Sequence, residues 1–236
     1  MNNQFSRTEI LLGEESTKIL AKKCVMVFGV GGVGGYVIEM LARSGIGKFI
    51  LVDNDKVEVT NLNRQILATN KTLGISKTEA AKARIQDINK SAIVDTKNMF
   101  YLPSNSNDLD FKACDYVVDA IDTITAKIDI ALRCTQEGIP LISSMGAGNR
   151  LNPNNVVITD IFKTENDPLA KVMRYELRKR GIKKLKVCFS KEPTLKPIVS
   201  KINENTGKEI PGSTPFVPAI FGIKIAHEVV CDLLNK

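Results

Sequence analysis

Histidine occurs once in the chain, at position 227, inside an apolar C-terminal stretch. A dehydrogenase needs a proton relay, and histidine is its commonest member, so hydride chemistry finds little to work with here. The five cysteines (24, 114, 134, 188 and 231) are scattered, odd in number and include no C-x-x-C pair. That spacing excludes a zinc site of four paired cysteines and points to a reducing compartment. The opening Met1-Asn2-Asn3-Gln4 is polar, with no basic-then-apolar leader. The most apolar stretch, Cys24 to Ala42, holds five glycines and Glu39, so a strand, turn and helix explain it better than a membrane span. No internal repeat is visible. These absences together lead us to expect a cytoplasmic protein with no membrane contact.

What is present begins with an uneven charge. Lysine and arginine total 33 against 26 acids, a net of +7. Between Lys171 and Lys186 eight cations stand against Glu176 alone, so one short segment carries the whole excess. A basic stripe of this kind is the footprint expected of nucleic-acid binding, with a solvated helix face as the plain alternative. We take Lys171, Arg174, Arg178, Lys179, Arg180, Lys183 and Lys184 as the candidate RNA contacts. At 236 residues and 43% hydrophobic content, the chain is long enough for one large α/β domain and short for two. We read residues 1–236 as a single domain, with a nucleotide half over 1–150, for the glycine turn it holds, and a basic half over 151–236.

The rest of the chain is arranged around Gly29-Val30-Gly31-Gly32-Val33-Gly34. A strand-type run, Cys24 to Phe28, feeds into it, and Val33, Val37, Ile38, Leu41 and Ala42 follow at helical spacing until Gly45. Strand, glycine turn and helix in that order make a phosphate cradle: glycines let the backbone approach an anion, and the helix N-terminus supplies free N–H groups. A second strand, Lys48 to Val52, ends in Asp53, where an acid can hold a ribose hydroxyl.

Further along, the alternation continues. Ser6 and Glu9 fit a capping box at an N-terminal arm, followed by a helix over Glu14 to Leu20. Helices are expected over Lys77 to Asn89 and about Thr125 to Glu137, and strands over Ala92 to Thr96, Tyr116 to Asp122 and Ile139 to Ser143. The order implies a Rossmann-like, doubly wound, mostly parallel sheet, extended at the C-terminus by further strands and helices. That extension holds a strand from Val156, a basic helix opened by Asp167-Pro168, a strand to Phe189 and an apolar helix over Phe216 to Leu234. Residues 190–215 carry four of the nine prolines and no apolar period, and read as a mobile loop.

A dehydrogenase and an ATP-using adenylating enzyme share everything up to Asp53. Attack on an α-phosphate further needs cations to neutralise the pentavalent transition state and a carboxylate to hold magnesium. Arg64, Lys77 and Asp122 meet that need, each just after a strand or at a helix start. For Asp119 a packing role stays open, for Asp55 a local loop role, and for Lys77 that of an exposed first-turn lysine. Cys231 is either a sulfur-exchanging thiol or a buried apolar residue, the latter favoured.

The set Arg7, Gly29-x-Gly31-Gly32-x-Gly34, Asp53-x-Asp55, Asn61-x-x-Arg64-Gln65, Lys77 and Asp119-x-x-Asp122 resembles the ubiquitin-activating-enzyme-like superfamily, which includes the molybdopterin- and thiamine-synthesis adenylyltransferases. The resemblance implies that the glycines and Asp53 bind ATP, that Asn61, Arg64 and Lys77 reach ribose and phosphates, and that Asp122 ligates Mg2+. It also implies a homodimer, in which Arg7 reaches the triphosphate held by the neighbouring subunit. Ser143-Ser144-Met145-Gly146-Ala147-Gly148, Lys163-Thr164-x-x-Asp167-Pro168 and Arg174-x-x-Leu177-Arg178-Lys179-Arg180-Gly181 are similar to the branch that dehydrates threonylcarbamoyladenosine in tRNA. That likeness implies adenylation of the substrate carboxylate, closure by its own carbamoyl nitrogen and release of AMP. Activation of a ubiquitin-like sulfur-carrier protein is the alternative, weakened by the missing paired cysteines. A monovalent cation (Na+ or K+) near the Ser143 to Gly148 turn and a sulfur-transfer partner protein are further possibilities the resemblance leaves open.

Overall fold

The computed structural model describes residues 3–202, 207 and 209–235. The β-branched and aromatic runs form seven strands: β1 Cys24–Phe28, β2 Lys48–Val52, β3 Ile93–Lys97, β4 Tyr116–Asp119, β5 Leu141–Ser144, β6 Val156–Asp160 and β7 Lys186–Ser190. They join one sheet in the order β3-β2-β1-β4-β5-β7-β6, all parallel except β6, which runs antiparallel to β7 at the edge. The expected α/β architecture is therefore present, and its C-terminal extension continues the same sheet.

The helices are α1 Ser6–Leu12, α2 Glu14–Leu20, α3 Gly34–Ser44, α4 Lys77–Ile88, α5 Ile124–Glu137, α6 Pro168–Lys179 and α7 Phe216–Leu234. Several boundaries follow from single residues. Gly45 and Gly138 stop α3 and α5 with φ of 93° and 69°, a region that costs other residues a Cβ clash. Asp167 caps α6 by accepting the Ala170 N–H at 2.9 Å, and Pro168 takes the first turn, where no donor is needed. The capping box expected of Ser6 and Glu9 does not form. Ser6 lies inside α1, whose N-cap Phe5 has no side-chain cap; Asn3 braces the arm, its Oδ1 accepting the Phe5 N–H at 2.6 Å while its amide donates to Glu9.

The core lies on both faces of the sheet. On one face α3, α4 and α7 cover Val25, Val27, Phe49 and Leu51. Gly222 makes that packing possible, since a Cβ there would sit 2.6 Å from the Val33 carbonyl oxygen and 2.5 Å from the Tyr36 Cβ. On the other face Phe28, Tyr101 and Phe111 cluster above α5, with ring centroids 4.8 Å apart for Phe28 and Tyr101. On α4 the buried face is Thr78, Ala80, Ala81 and Ile85. Ala83 is exposed, and Arg84 bridges to the buried Glu39 at 2.9 Å.

Leu195 and Gly212, in the segment 190–215, pack onto the turn after β5. Asn149 donates its N–H to the Gly212 carbonyl at 2.8 Å and accepts the Gly212 N–H on Oδ1 at 2.6 Å, and Leu195 donates to the Asn149 carbonyl. Part of the expected mobile loop, residues 203–206 and 208, lies outside the described residues.

Candidate functional site

Strand order reverses between β1 and β4, whose neighbours in the sheet are β2 on one side and β5 on the other. In such sheets ligands settle at the carboxyl ends of the strands beside that reversal. A cleft of about 820 Å³ occupies this position. It is lined by ten of the residues singled out by sequence: Gly29, Gly31, Gly32, Asp53, Asp55, Asn61, Arg64, Gln65, Lys77 and Asp122.

The glycine turn is built to its residues. A Cβ on Gly29, whose φ is 86°, would lie 2.7 Å from the Ala120 carbonyl oxygen. Gly34 sits beneath the turn rather than on the cleft wall, and a Cβ there would be 1.8 Å from the Gly29 carbonyl oxygen. A Cβ on Gly31 or Gly32 would meet only ordinary van der Waals contacts, Gln65 at 3.9 Å and Pro218 at 3.4 Å, and both residues line the cleft with their backbone. Asp53 anchors the turn: Oδ2 accepts the Val30 N–H at 2.7 Å and Oδ1 the Asp55 N–H at 2.8 Å. Burial pushes the Asp53 carboxyl above the usual range, and these two hydrogen bonds act against that. Each carboxylate oxygen keeps a lone pair for a sugar hydroxyl.

Cations flank the turn. Lys77 opens α4, with its side chain only 8% exposed and its ammonium 2.6 Å from Asp55 Oδ2. Its burial sets aside the exposed-lysine alternative. Arg64 is half-buried, its Nη1 donating to the Thr60 carbonyl at 2.8 Å and to Asn63 Oδ1 at 2.9 Å. Its Cγ lies over Gly32, 3.6 Å from where a Cβ would be. Asn61 shapes the loop, its Oδ1 accepting the Glu58 N–H at 3.1 Å, and Gln65 is buried beside it.

On the β4 side the two acids have different surroundings. Asp119 is fully buried, bound to Lys127 Nζ at 2.8 Å and accepting from the Ser143 hydroxyl. Its packing alternative is the one the geometry fits. Asp122 is exposed on the cleft wall. Arg7 is exposed on α1 and does not line the cleft of its own chain; Ile10 and Leu11 beside it are 81% and 82% exposed.

The far end of the cleft contains residues that the sequence reading passed over. Arg150 follows the turn after β5 and is buried together with Asp167. The sequence places Asp167 in the branch motif and at a helix cap but gives it no role in the cleft, and Arg150 is a lone cation in an irregular stretch with no spacing to mark it. A second groove, lined by Asn166, Lys171, Arg174, Pro193 and Thr194, shares Asp167 and Pro168 with the cleft wall. The nucleotide cleft thus runs on toward the basic helix α6.

The basic residues divide by environment. Arg178 lies 5.0 Å over the Phe162 ring and Lys179 4.1 Å over Tyr175, contacts that hold the cationic heads at the surface. Lys171, Lys183 and Lys184 are exposed. Arg180 pairs with Glu176, and Arg174 donates to Thr164. Lys186 turns away from this face and binds Glu228 and Asp232 on α7 at 2.7 and 2.6 Å.

Cys24, Cys114, Cys134 and Cys188 are buried, and burial raises every one of these thiols, Cys24 to about 11 and Cys114 to about 12. Cys231 is half-buried, its Sγ 3.6 Å from His227 Nε2. It lies thirteen residues along α7 from Pro218 at the cleft, a span of about 20 Å at helical rise.

With that geometry in hand, the comparisons are specific. The ThiF family model matches residues 5–234. A tRNA threonylcarbamoyladenosine dehydratase of Bacillus subtilis (strain 168) is 45% identical, the match covering 100% of this chain and 96% of the relative. The crystal structure of an E. coli tRNA N6-threonylcarbamoyladenosine dehydratase in complex with AMP superposes with a TM-score of 0.89 at 32% identity, covering 98% of this chain and 94% of that one. The same E. coli enzyme in complex with ATP gives a TM-score of 0.87 at 32% identity, with the same coverage of both chains.

Proposed function

The chain belongs to the ThiF family, and from that premise we propose that it is an ATP-using enzyme that dehydrates threonylcarbamoyladenosine in tRNA. The carrying observation is the continuity of the nucleotide cleft with a groove lined by Lys171 and Arg174 at the basic helix. One wall holds a nucleotide, and the other leads to an RNA-facing surface.

The glycine turn, the N-terminus of α3, Arg64 and Lys77 receive the triphosphate and stabilise the charge that grows on its oxygens. The substrate carboxylate attacks the α-phosphorus and displaces pyrophosphate. The carbamoyl nitrogen then attacks the acyl carbon, loses its proton and displaces AMP, so that the nucleoside ends one water lighter. Because this nucleophile is intramolecular, proximity supplies much of the rate and no enzyme thiol is needed. The buried, raised cysteines agree with that. No group of three or more His, Cys, Asp or Glu among the described residues could hold a metal by itself. This fits magnesium, which is bound through one or two carboxylates together with substrate phosphates; Asp122 would hold it, and it would neutralise charge on the departing pyrophosphate.

Arg7 and the exposed Ile10 and Leu11 favour α1 as a contact in a homodimer, with Arg7 serving the neighbouring cleft. A sodium or potassium ion at the Ser143 to Gly148 turn gains no support from the side chains, since the Asp167 carboxylate there accepts the N–H groups of Gly146 and Ala170 and Arg150 is already beside it. The position of Cys231 likewise does not favour a sulfur-transfer partner acting at the cleft, and the sulfur-carrier alternative keeps no distinguishing residue. No helix among the described residues is long and apolar enough to cross a membrane.

The test is AMP release and nucleoside mass with tRNA that carries threonylcarbamoyladenosine and tRNA that lacks it. Release confined to the modified tRNA, with loss of one water, is expected. Turnover only with a small carrier protein would overturn the reading.

The basic face gives an independent expected result. Lys183→Ala combined with Lys184→Ala should flatten the slope of log affinity against log salt by about 2, near one unit per phosphate contact. An unchanged slope in a fluorescence-anisotropy titration would return both lysines to the role of a solvated face.

A further inference from the structure

Arg150 carries a role that neither the nucleotide cradle nor the basic helix accounts for. Its side chain is 1% exposed, yet it lines the cleft. Only Nη2 is engaged, donating to the Asn166 carbonyl at 2.9 Å. Nε and Nη1 are buried and have no hydrogen-bond partner among the described residues. A buried donor left unpaired costs about 1–3 kcal/mol, more when it is charged, so a ligand that fills this end of the cleft gains by satisfying them.

The protein's own acids do not supply that ligand. Asp167 Oδ2 lies 3.7 Å from Nη2, beyond hydrogen-bond distance. Its two oxygens are committed elsewhere, Oδ1 to the Ala170 N–H at 2.9 Å and Oδ2 to the Gly146 N–H at 3.1 Å. Glu192, the other nearby carboxylate, accepts the N–H groups of Leu151 and Asn152, both at 3.0 Å. Burial accordingly holds the Arg150 guanidinium below its usual pKa despite both acids. The site is a desolvated cation with two spare donors and its neighbouring anions already engaged, which is a receptor for an incoming anion.

Position selects which anion. ATP phosphates have their own cradle at the ends of β1 and β2, with Arg64 and Lys77. Arg150 instead follows β5, at the end of the cleft where Asp167 and Pro168 also wall the groove of Lys171 and Arg174. We propose that Arg150 receives the free carboxylate of the threonylcarbamoyl group and so distinguishes modified from unmodified tRNA. This inference rests on the dehydratase reading above, and it names the residue through which that substrate is selected. Charge-assisted pairing also orients the carboxylate for attack, because an oxygen bound to a fixed guanidinium cannot rotate away.

The experiment uses Arg150→Met and Arg150→Lys beside the wild type. ATP affinity is measured without tRNA, affinity for modified and unmodified tRNA by anisotropy, and KM and kcat by AMP release. Arg150→Met is expected to raise KM for modified tRNA about 10–100-fold, the range of a lost charged hydrogen-bonding partner. ATP affinity and affinity for unmodified tRNA should stay within about twofold, so the preference for modified tRNA disappears. Arg150→Lys keeps the charge without the pair of donors and should recover part of that preference. If Arg150→Met does not fold, Arg150→Lys decides alone, since a lysine variant with full discrimination overturns the proposal. Weakened ATP binding with discrimination retained would assign Arg150 to the phosphates instead. Equal loss of every activity would make it structural. A wild type inactive on modified tRNA would sink the dehydratase reading, whereas an active wild type with an unaffected Arg150→Met variant would sink only this inference.

Discussion

Asp122→Asn and Arg64→Ala are each expected to lower tRNA-dependent AMP release by roughly 10²–10³-fold, the usual cost of removing one preorganised electrostatic group from a reacting centre. Both side chains line the cleft, and neither supports the core. Asp122 is exposed, and the Arg64 guanidinium bonds only to its own loop through Thr60 and Asn63. Melting temperatures should therefore move little while turnover collapses. The two variants should differ in kind. Asp122→Asn should raise the magnesium concentration that gives half-maximal rate, because a neutral amide is a poorer ligand for a hard cation. Arg64→Ala should leave that requirement alone and weaken ATP binding. Activity within tenfold of wild type for either variant would remove that residue from the site, shifting the role of Arg64 to Lys77 or Arg7 and that of Asp122 to another cleft carboxylate such as Asp55.

The nucleotide end of this site was legible in the sequence because its chemistry is local. Gly29 to Gly34 occupy consecutive positions between a strand and a helix, so the backbone constraint and the binding surface share one short segment. Asp53 ends the neighbouring strand, and parallel pairing in register, Phe28 opposite Val52, brings it beside the turn. The substrate end was not legible, because its parts come from distant stretches. Arg150, Asp167 and Thr194 meet only after β5 has paired with β7 and α6 has packed against α5, and no periodicity marks any of them. Asp167 was hidden by its second task. Its place before Pro168 explains a helix cap fully, and nothing in that pattern reveals that its other oxygen holds the Gly146 N–H. Lys186 belongs to the charge count of the basic run but not to the candidate RNA contacts, and strand alternation does turn its side chain toward Asp232 on α7. At the N-terminus, Ser6-x-x-Glu9 matched a capping pattern, but the Ser6 N–H goes to the Asn3 carbonyl and the Glu9 N–H to the Phe5 carbonyl, so neither side chain caps the other's backbone.

Lys127→Met is expected to be the most destabilising single change in the region. Lys127 and Asp119 are both 0% exposed and lie 2.8 Å apart. A buried pair adds little net stability over an apolar replacement, since desolvation offsets attraction. Removing one partner, however, strands the other charge and costs about 3–5 kcal/mol. For a chain of this size that corresponds to a fall in Tm of about 6–20 °C, at roughly 2–4 °C per kcal/mol. Asp119→Leu added to Lys127→Met removes the stranded carboxylate and should recover most of the loss; additive losses in the double variant would mean that the pair is not the cause. Activity should not return with stability. Lys127 Nζ also donates to the Ile121 carbonyl at 3.1 Å, and the Ile121 N–H contacts Asp119 Oδ1 at 3.3 Å. The pair therefore fastens the backbone one residue before Asp122, and the apolar replacement leaves that turn without its hold. A double variant that melts like the wild type but turns over slowly would show why a costly buried charge pair is kept behind the cleft: it fixes where Asp122 points. Full activity in the same variant would reduce the pair to packing.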